Sequence, residues 1–225
     1  MHRCFAFIDL SGFTALTETE GDERAVIALN AFRTLVRDIC SRRGVRIAKW
    51  LGDGAMLVNL ETRPVVAAAL EMQNAVARTP VPISVRAGLA SGLVILYEGD
   101  DYIGHCVNVA ARLSDQAAGG EVLAAPSVIG DLPAWGRVVE THEIALRGLE
   151  RPLSVSQLGF RLLDGVVEPD PVCGIPLSRA VAAEVVRDRT GREVWFCSDS
   201  CRDTWERRPG PAAAEQGSLR GPLIG

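Results

Sequence analysis

The chain has 225 residues, of which 48% are hydrophobic and 23% are charged, with a formal net charge of −4 and a pI near 5.5. This composition argues against global disorder, and the acidic balance argues against nucleic acid as the main partner. We find no long uncharged apolar stretch, so the sequence predicts neither a membrane span nor a signal peptide, and therefore a cytoplasmic protein.

The chain alternates between strand-like and helix-like segments. The apolar run 3–10 predicts a buried strand, and residues 14–44 have helical spacing that Gly44 closes. Residues 45–60 predict two short strands around Gly-Asp-Gly. Further along we predict a helix at 63–78, a strand pair at 81–99, a helix at 104–117, a strand at 121–125, a helical turn at 126–132 and a closing hairpin at 136–158.

This order of elements favours an α+β fold. We expect a ferredoxin-like mixed sheet with helices covering one face, in a domain over residues 1–160. An acidic, proline-containing linker over 161–169 would lead to a small cysteine-rich α+β module at 170–209, and a disordered tail at 210–225.

Three loops carry polar residues that a plain core would not need. Asp9 ends the first strand, Asp53 lies in the Gly-Asp-Gly turn, and Asn108 and Arg112 share one helix face four residues apart. Taken singly, Asp9 could cap the next helix, Asp53 could be a turn residue, and the other two could face solvent. The composition adds a further signal, because Lys49 is the one lysine among 24 basic residues. A lysine kept at this position indicates a contact for a compact ammonium that a guanidinium does not make.

Together, "FIDLSGFT", "KWLGDG" and "GHCVNVAARL" resemble the catalytic domain of the class III nucleotidyl cyclases, over about residues 3 to 160. The resemblance implies the nucleotide cyclase fold and two divalent ions, Mg²⁺ or Mn²⁺, held by Asp9 and Asp53. It also implies that Lys49 and Asp101 contact the adenine of ATP. Guanylate cyclases typically have Glu and Cys at these two positions, so the resemblance favours an adenylate cyclase.

The same resemblance assigns Asn108 and Arg112 to catalysis, where they position the ribose and stabilise charge at the reacting phosphate. Cyclisation joins the ribose 3′-oxygen to the α-phosphorus and expels pyrophosphate, a reaction that depends on positioning and charge stabilisation. "SGFT" opens a helix, so the free N–H groups at Gly12, Phe13 and Thr14 would favour phosphate.

Cyclases of this class work as dimers with composite sites. One chain supplies the metal carboxylates, and the other supplies Lys49, Asp101, Asn108 and Arg112. Because this chain contains all of these residues, we expect a homodimer with two equivalent sites. A basic residue near the closing hairpin meets the terminal phosphates in the family. Arg147 lies nearby here, and Leu149 is the alternative residue for that place.

The six cysteines fall into two groups. Cys4, Cys40 and Cys106 lie among apolar residues, which predicts buried core thiols. Cys173, Cys197 and Cys201, in "DPVCGIPL" and "VWFCSDSC", resemble the YHS family of small metal-binding modules, over about residues 168 to 209. Three thiolates suit zinc or copper(I), although the sequence names no fourth ligand and the thiols could simply be buried.

Three other functions remain open on the sequence. The chain could be a guanylate cyclase, a non-catalytic nucleotide-responsive dimeric regulator, or a metal-trafficking protein in which the C-terminal module dominates. The Lys49 and Asp101 pair opposes the first alternative. The complete set of metal carboxylates and the helix arginine opposes the second, and metal analysis of the module would address the third.

Overall fold

The structure of the chain is a computed structural model that describes residues 1–99, 101–161 and 165–207. The elements in chain order are β1 (His2–Ser11), α1 (Phe13–Glu20), α2 (Asp22–Arg43), β2 (Arg46–Leu51), β3 (Gly54–Asn59), α3 (Thr62–Ala77), β4 (Ser84–Leu93), β5 (Ile95–Tyr97), β6 (Asp101–Ile103), α4 (His105–Gln116), β7 (Val122–Ala124), α5 (Pro126–Ile129), β8 (Gly136–Ile144), β9 (Leu153–Phe160), β10 (Glu168–Pro169), β11 (Pro176–Leu177), β12 (Glu184–Arg187), β13 (Glu193–Phe196) and α6 (Asp199–Glu206).

A mixed seven-stranded sheet organises the described part of residues 1–161, with the order β2-β3-β1-β4-β7-β9-β8. The pairs are antiparallel except for β4 and β7, which are parallel. The strand β1 lies between β3 and β4, so its last residues meet the turn after β2 on one side and the start of β4 on the other. The α+β class with a large mixed sheet is confirmed.

Helices cover both faces of this sheet, whereas the sequence predicted one. Alternate residues of β1 point to opposite sides: Ala6 and Ile8 belong to the core beneath α2 and α3, and Phe5 belongs to the core beneath α4. All three side chains are buried, which explains the continuous apolar run of β1. Helix α4 packs tightly on β4, since a Cβ on Gly88 would lie 2.2 Å from the Ala110 carbonyl oxygen.

Two predicted elements differ from the structure. The long helix at 14–44 is divided at Gly21, which has a φ of 83° that a continuous helix does not allow. The predicted strand pair at 81–99 is instead one long strand, β4, followed by β5, which pairs with β6. Gly99, with a φ of 84°, supplies the left-handed backbone conformation in the connection between β5 and β6.

The predicted linker at 161–169 ends in a short strand. Glu168–Pro169, placed in the linker by the sequence, forms strand β10 and pairs with β11. Residues 162–164 of the predicted linker and the predicted disordered tail at 210–225 lie outside the described residues. The module contacts the first domain, because the Ser200 hydroxyl donates a hydrogen bond to the Arg42 carbonyl at the end of α2.

In the described part of the chain, no helix combines the length and the hydropathy that crossing a membrane requires. The cytoplasmic location stays a prediction.

Candidate active site

Asp9 and Asp53 come together at one end of the sheet. Asp9 lies near the end of β1, and Asp53 lies in the turn between β2 and β3. The pairing of β3 with β1 brings this turn onto Asp9. Gly54 makes the approach possible, because a Cβ there would lie 2.5 Å from the Ile8 carbonyl oxygen and 3.1 Å from Asp9 Oδ1. The juxtaposition expected from the sequence is therefore present.

The two carboxylates interact unfavourably when both are charged. Burial raises the pKa of Asp53, and the neighbouring charge of Asp9 raises it further. Hard carboxylate oxygens held together in this way are the donor set that Mg²⁺ and Mn²⁺ prefer, and a cation would remove the repulsion. The residues present thus fit the divalent ions that the resemblance implies.

Arg86 is a site residue that the sequence analysis missed. It lies opposite Asp9 in the register of β1 and β4. Its Nε donates to Asp9 Oδ2 at 2.8 Å, and its Nη2 donates to the same oxygen. No local sequence pattern identifies this residue. An arginine near the start of β4 can be assigned to the site only when the register of β4 with β1 is known. Arg86 places a fixed positive charge beside the carboxylate pair.

Replacing Asp53 with Asn is expected to raise the melting temperature of the metal-free protein at neutral pH. The pKa of Asp53 is higher in the folded state than in the unfolded state. As the pH rises above about 3.9, the Asp53 carboxyl therefore ionises first in the unfolded chain. The free energy of unfolding falls until the pH passes the raised pKa of the folded state. Asn does not ionise. The gain should therefore be absent in acid and reach a plateau near neutrality, in thermal melts with EDTA between about pH 3 and pH 8.

The matched control for this prediction is Asp38→Asn, at an exposed carboxylate on α2. Its melting temperature should follow that of the wild type across the same pH range. A difference between the Asp53 variant and the wild type that is constant with pH, or that has the opposite sign, would contradict the electrostatic account.

Lys49 and Asp101 form an ion pair between β2 and β6. They are 52 residues apart in sequence, so the tertiary fold alone brings them together. Their side chains are 40% and 52% exposed, which leaves both groups accessible to a ligand. An ammonium donor next to a carboxylate acceptor can recognise an acceptor and a donor on one edge of a planar base. The pairing of these two sequence-predicted residues is present.

Asn108 and Arg112 lie on α4, with Asn108 exposed and Arg112 partly buried. The Arg112 guanidinium packs against Gly148, where a Cβ would lie 3.0 Å from Nη1. Nη1 is buried without a hydrogen-bond partner among the described residues. A buried donor in this state costs stability, and an anionic ligand could supply the missing acceptor. Phosphate oxygens would fit this arginine.

Arg147 and Leu149, the two residues that the sequence analysis considered for contact with the terminal phosphates, follow β8 and differ in exposure. Arg147 is exposed and directly precedes Gly148, which contacts Arg112. Leu149 packs against the core beneath α4. The side chain of Arg147 is therefore the one available to solvent, and its role with the terminal phosphates stays a prediction.

The start of α1 offers backbone N–H groups. Gly12 precedes the helix with a φ of 88°, and among the described residues no side chain caps it. A Cβ on Gly12 would lie 2.9 Å from the Pro82 carbonyl oxygen, so glycine is required there. Phe13 packs on the core, whereas Thr14 is exposed. Together with the helix dipole, these N–H groups can bind an anion.

Three cysteines and one aspartate form a second cluster, in the C-terminal module. The Sγ atom of Cys197 lies 3.5 Å from that of Cys173 and 3.6 Å from that of Cys201. A carboxylate oxygen of Asp170 completes the group, with all four ligand atoms within 4.8 Å of one another. Asp170, the member that the sequence analysis could not name, is 1% exposed. Because the six cysteines are free thiols, the cluster contains no disulfide.

Two arginines from the end of α2 face this cysteine cluster. Arg43 Nη2 lies 3.3 Å from the Cys197 sulfur, and Arg42 Nη1 lies 3.9 Å from the Cys201 sulfur. Both guanidinium groups also pair with Glu71 of α3, which is 2% exposed, at 2.5 and 2.8 Å. Burial alone would lower the pKa of Arg43, but the charges of Cys197 and Glu71 outweigh it and raise that pKa.

Comparison with known proteins identifies the fold. The family model of the adenylate and guanylate cyclase catalytic domain matches residues 2–156. An uncharacterized protein of Mycobacterium tuberculosis is 36% identical over 152 residues, which cover 68% of this chain and 40% of the relative. A pH-sensitive adenylate cyclase of the same species is 36% identical over 131 residues, covering 57% and 32%. The chain thus spans less than half of the length of these curated relatives.

Solved structures agree on the fold. An adenylyl cyclase from Pseudomonas aeruginosa, CyaB, superposes with a TM-score of 0.55 and 24% identity, covering 73% of this chain and 97% of that one. The guanylyl cyclase Cya2 gives a TM-score of 0.62 at 20% identity, covering 74% and 96%. These likenesses show the fold and do not distinguish ATP from GTP as the substrate. The likeness of the C-terminal module to the YHS family stays a prediction.

Proposed function

The chain belongs to the family of adenylate and guanylate cyclase catalytic domains, and we propose that it converts ATP to 3′,5′-cyclic AMP and pyrophosphate in intracellular signal transduction. The observation that carries the choice of ATP is the ion pair between Lys49 and Asp101. Adenine presents N1 as an acceptor and N6 as a donor, which match an ammonium and a carboxylate. Guanine presents the reverse polarity on this edge, so it would leave both groups unpaired.

Each remaining site residue of the sequence prediction has the role that the resemblance to the cyclases implies. Asp9 and Asp53 would hold two Mg²⁺ or Mn²⁺ ions, which when bound lower the pKa of the ribose 3′-hydroxyl and neutralise the leaving pyrophosphate. Arg112 has a buried guanidinium nitrogen in need of an acceptor, and a phosphate oxygen would supply it. Asn108, one turn earlier on α4, would position the ribose, and the N–H groups from Gly12 to Thr14 would bind phosphate.

A homodimer with shared sites fits the exposure of these residues. Lys49, Asp101 and Asn108 lie at the surface of the single chain, where a second chain can cover them. In the proposed arrangement, Asp9 and Asp53 of one protomer face these residues and Arg112 of its partner. Closure of the interface would exclude water and strengthen each electrostatic contact.

The decisive experiment is a cyclic AMP assay on the purified chain with ATP and Mn²⁺ or Mg²⁺. Turnover that requires one of these ions is the expected result. Calorimetric titration with ATP on the same sample separates the main alternative: binding without product would overturn the cyclase proposal and favour a nucleotide-responsive regulator. If the chain neither binds ATP nor forms product, the assignment of a nucleotide as its ligand is itself overturned.

Guanylate cyclase activity is the second candidate, because guanylyl cyclases are among the structural neighbours. The double variant Lys49→Glu, Asp101→Cys is expected to lower the ATP to GTP ratio of kcat/KM by about 10²-fold or more. The control is Lys49→Arg, which keeps the charge and should lose ATP turnover without gaining GTP turnover. A wild-type preference for GTP, or no change of ratio in the double variant, would contradict the adenine assignment.

A further inference from the structure

The cluster of Asp170, Cys173, Cys197 and Cys201 has the dimensions of a tetrahedral metal site. With metal–sulfur bonds of about 2.3 Å, two sulfur ligands of a tetrahedral zinc ion stand about 3.8 Å apart. The Sγ separations of 3.5 Å (Cys173 to Cys197) and 3.6 Å (Cys197 to Cys201) are close to this edge. The four ligand atoms therefore already surround one point, and little rearrangement is needed to bind an ion.

Backbone hydrogen bonds fix the cluster in place. Asp170 Oδ1 accepts from the N–H groups of Val172 and Cys173 at 2.8 and 3.2 Å, and Oδ2 accepts from the Cys197 N–H at 2.7 Å. A carboxylate has about four acceptor positions, so Asp170 can still bind a cation. This carboxylate ties together the two segments that carry the cysteines, in the way that supporting contacts orient metal ligands.

The charge around the cluster favours a divalent ion. Three thiolates and one carboxylate carry four formal negative charges, which a divalent ion reduces to two. Arg42 and Arg43 supply two positive charges at the sulfur atoms of Cys201 and Cys197. With a monovalent ion such as copper(I), the buried cluster would have one more negative charge than with a divalent ion. The charge of Glu71 is the same in both cases and does not change this difference. Buried uncompensated charge is costly, so the cluster and its two arginines favour a divalent ion over a monovalent one.

We propose that Asp170, Cys173, Cys197 and Cys201 bind one divalent thiophilic cation of the Zn²⁺ type, and that Arg42 and Arg43 of α2 neutralise the negative charge that remains on this ligand set. A cavity of about 370 Å³ is lined in part by Arg42, Arg43 and Cys197, so it reaches one residue of the cluster. This site is separate from the proposed cyclase chemistry, and its test does not use cyclase activity.

The test measures metal affinity on the full chain, reduced and stripped of metal, with a chromophoric chelator as competitor and excess Mg²⁺ to occupy hard-ligand sites. The wild type is expected to bind one Zn²⁺ tightly and to show thiolate-to-cobalt charge-transfer bands with Co²⁺. Cys173→Ser and Asp170→Asn should each lose affinity by about 10²-fold or more. The controls Cys106→Ser and Asp38→Asn, outside the cluster, should bind as the wild type does.

The arginine part of the proposal has its own variants. Arg43→Gln is expected to weaken Zn²⁺ binding by about 10-fold or more while the cobalt spectrum keeps its thiolate bands, because Arg43 is no ligand. The proposal is overturned if the wild type binds no Zn²⁺ tightly, if Cys106→Ser loses as much as Cys173→Ser, or if Arg43→Gln binds Zn²⁺ unchanged.

Discussion

Replacing Asp9 with Asn is expected to lower cyclic AMP formation by about 10³-fold, which corresponds to a loss of about 4 kcal/mol of transition-state stabilisation. Asn has nearly the same shape but no charge, so it removes one anionic ligand of the proposed metal pair. It also ends the ion pair with Arg86, whose Nε now donates to Asp9 Oδ2 at 2.8 Å. Initial rates with saturating ATP and a series of Mn²⁺ concentrations measure the effect.

Two comparisons separate lost catalysis from lost folding. Asp53→Asn should show a comparable loss of rate even though it is expected to stabilise the metal-free fold, so a general loss of structure cannot explain both results. Asp38→Asn, the exposed control on α2, should keep the wild-type rate. Turnover within about 10-fold of the wild type in either active-site variant would mean that the pair does not hold the catalytic ions.

Mixing Asp9→Asn chains with Arg112→Ala chains is expected to restore activity that neither variant has alone. If each site takes Asp9 from one chain and Arg112 from the other, a heterodimer contains one intact site and one doubly defective site. Random exchange of equal amounts makes half of the dimers mixed, so the activity should return to about a quarter of the wild-type value. Rates before and after subunit exchange, at equal total protein, provide the measurement.

The control for complementation is a mixture of Asp9→Asn and Asp53→Asn chains. Both substitutions affect the same half of a composite site, so every mixed dimer remains defective at both sites. Activity in this control, or no activity in the first mixture despite proven exchange, would contradict the shared-site dimer.

Local sequence signals predicted much of the site. Gly-Asp-Gly between two short strands fixed the hairpin that carries Asp53, and the Ser-Gly break after Asp9 marked the end of β1. The unusual composition singled out Lys49, which the fold pairs with Asp101. The hairpin and the end of β1 could be predicted because turns and helix starts depend on neighbouring residues and special backbone conformations, whereas the pairing of Lys49 with Asp101 was expected from the resemblance to the cyclases.

Features that depend on distant contacts were missed. Arg86 faces Asp9 through strand register, which no local pattern shows. The placement of α4 on the second sheet face depends on which side of β1 each apolar residue occupies, and an apolar run does not reveal that. Asp170 begins the "DPVCGIPL" segment but has no ligand signal in the sequence, and only the approach of Cys197 from 27 residues further along makes it a member of the cluster.

Helix α2 touches the candidate active site as well as the cysteine cluster. Arg33 donates a hydrogen bond to the Gly52 carbonyl at 2.9 Å, next to Asp53, and its guanidinium and that of Arg37 each lie 5.2 Å from the Trp50 ring centre, beside Lys49. Arg42 lies nine residues beyond Arg33, or about 14 Å along the helix axis.

A rigid-body shift of α2 would therefore change the contacts at both ends together. Thermodynamic linkage is reciprocal: if occupation of the cysteine cluster changes the affinity for nucleotide, nucleotide changes the affinity of the cluster for its cation by the same factor. One helix would then make the supply of a thiophilic cation a regulator of second-messenger synthesis.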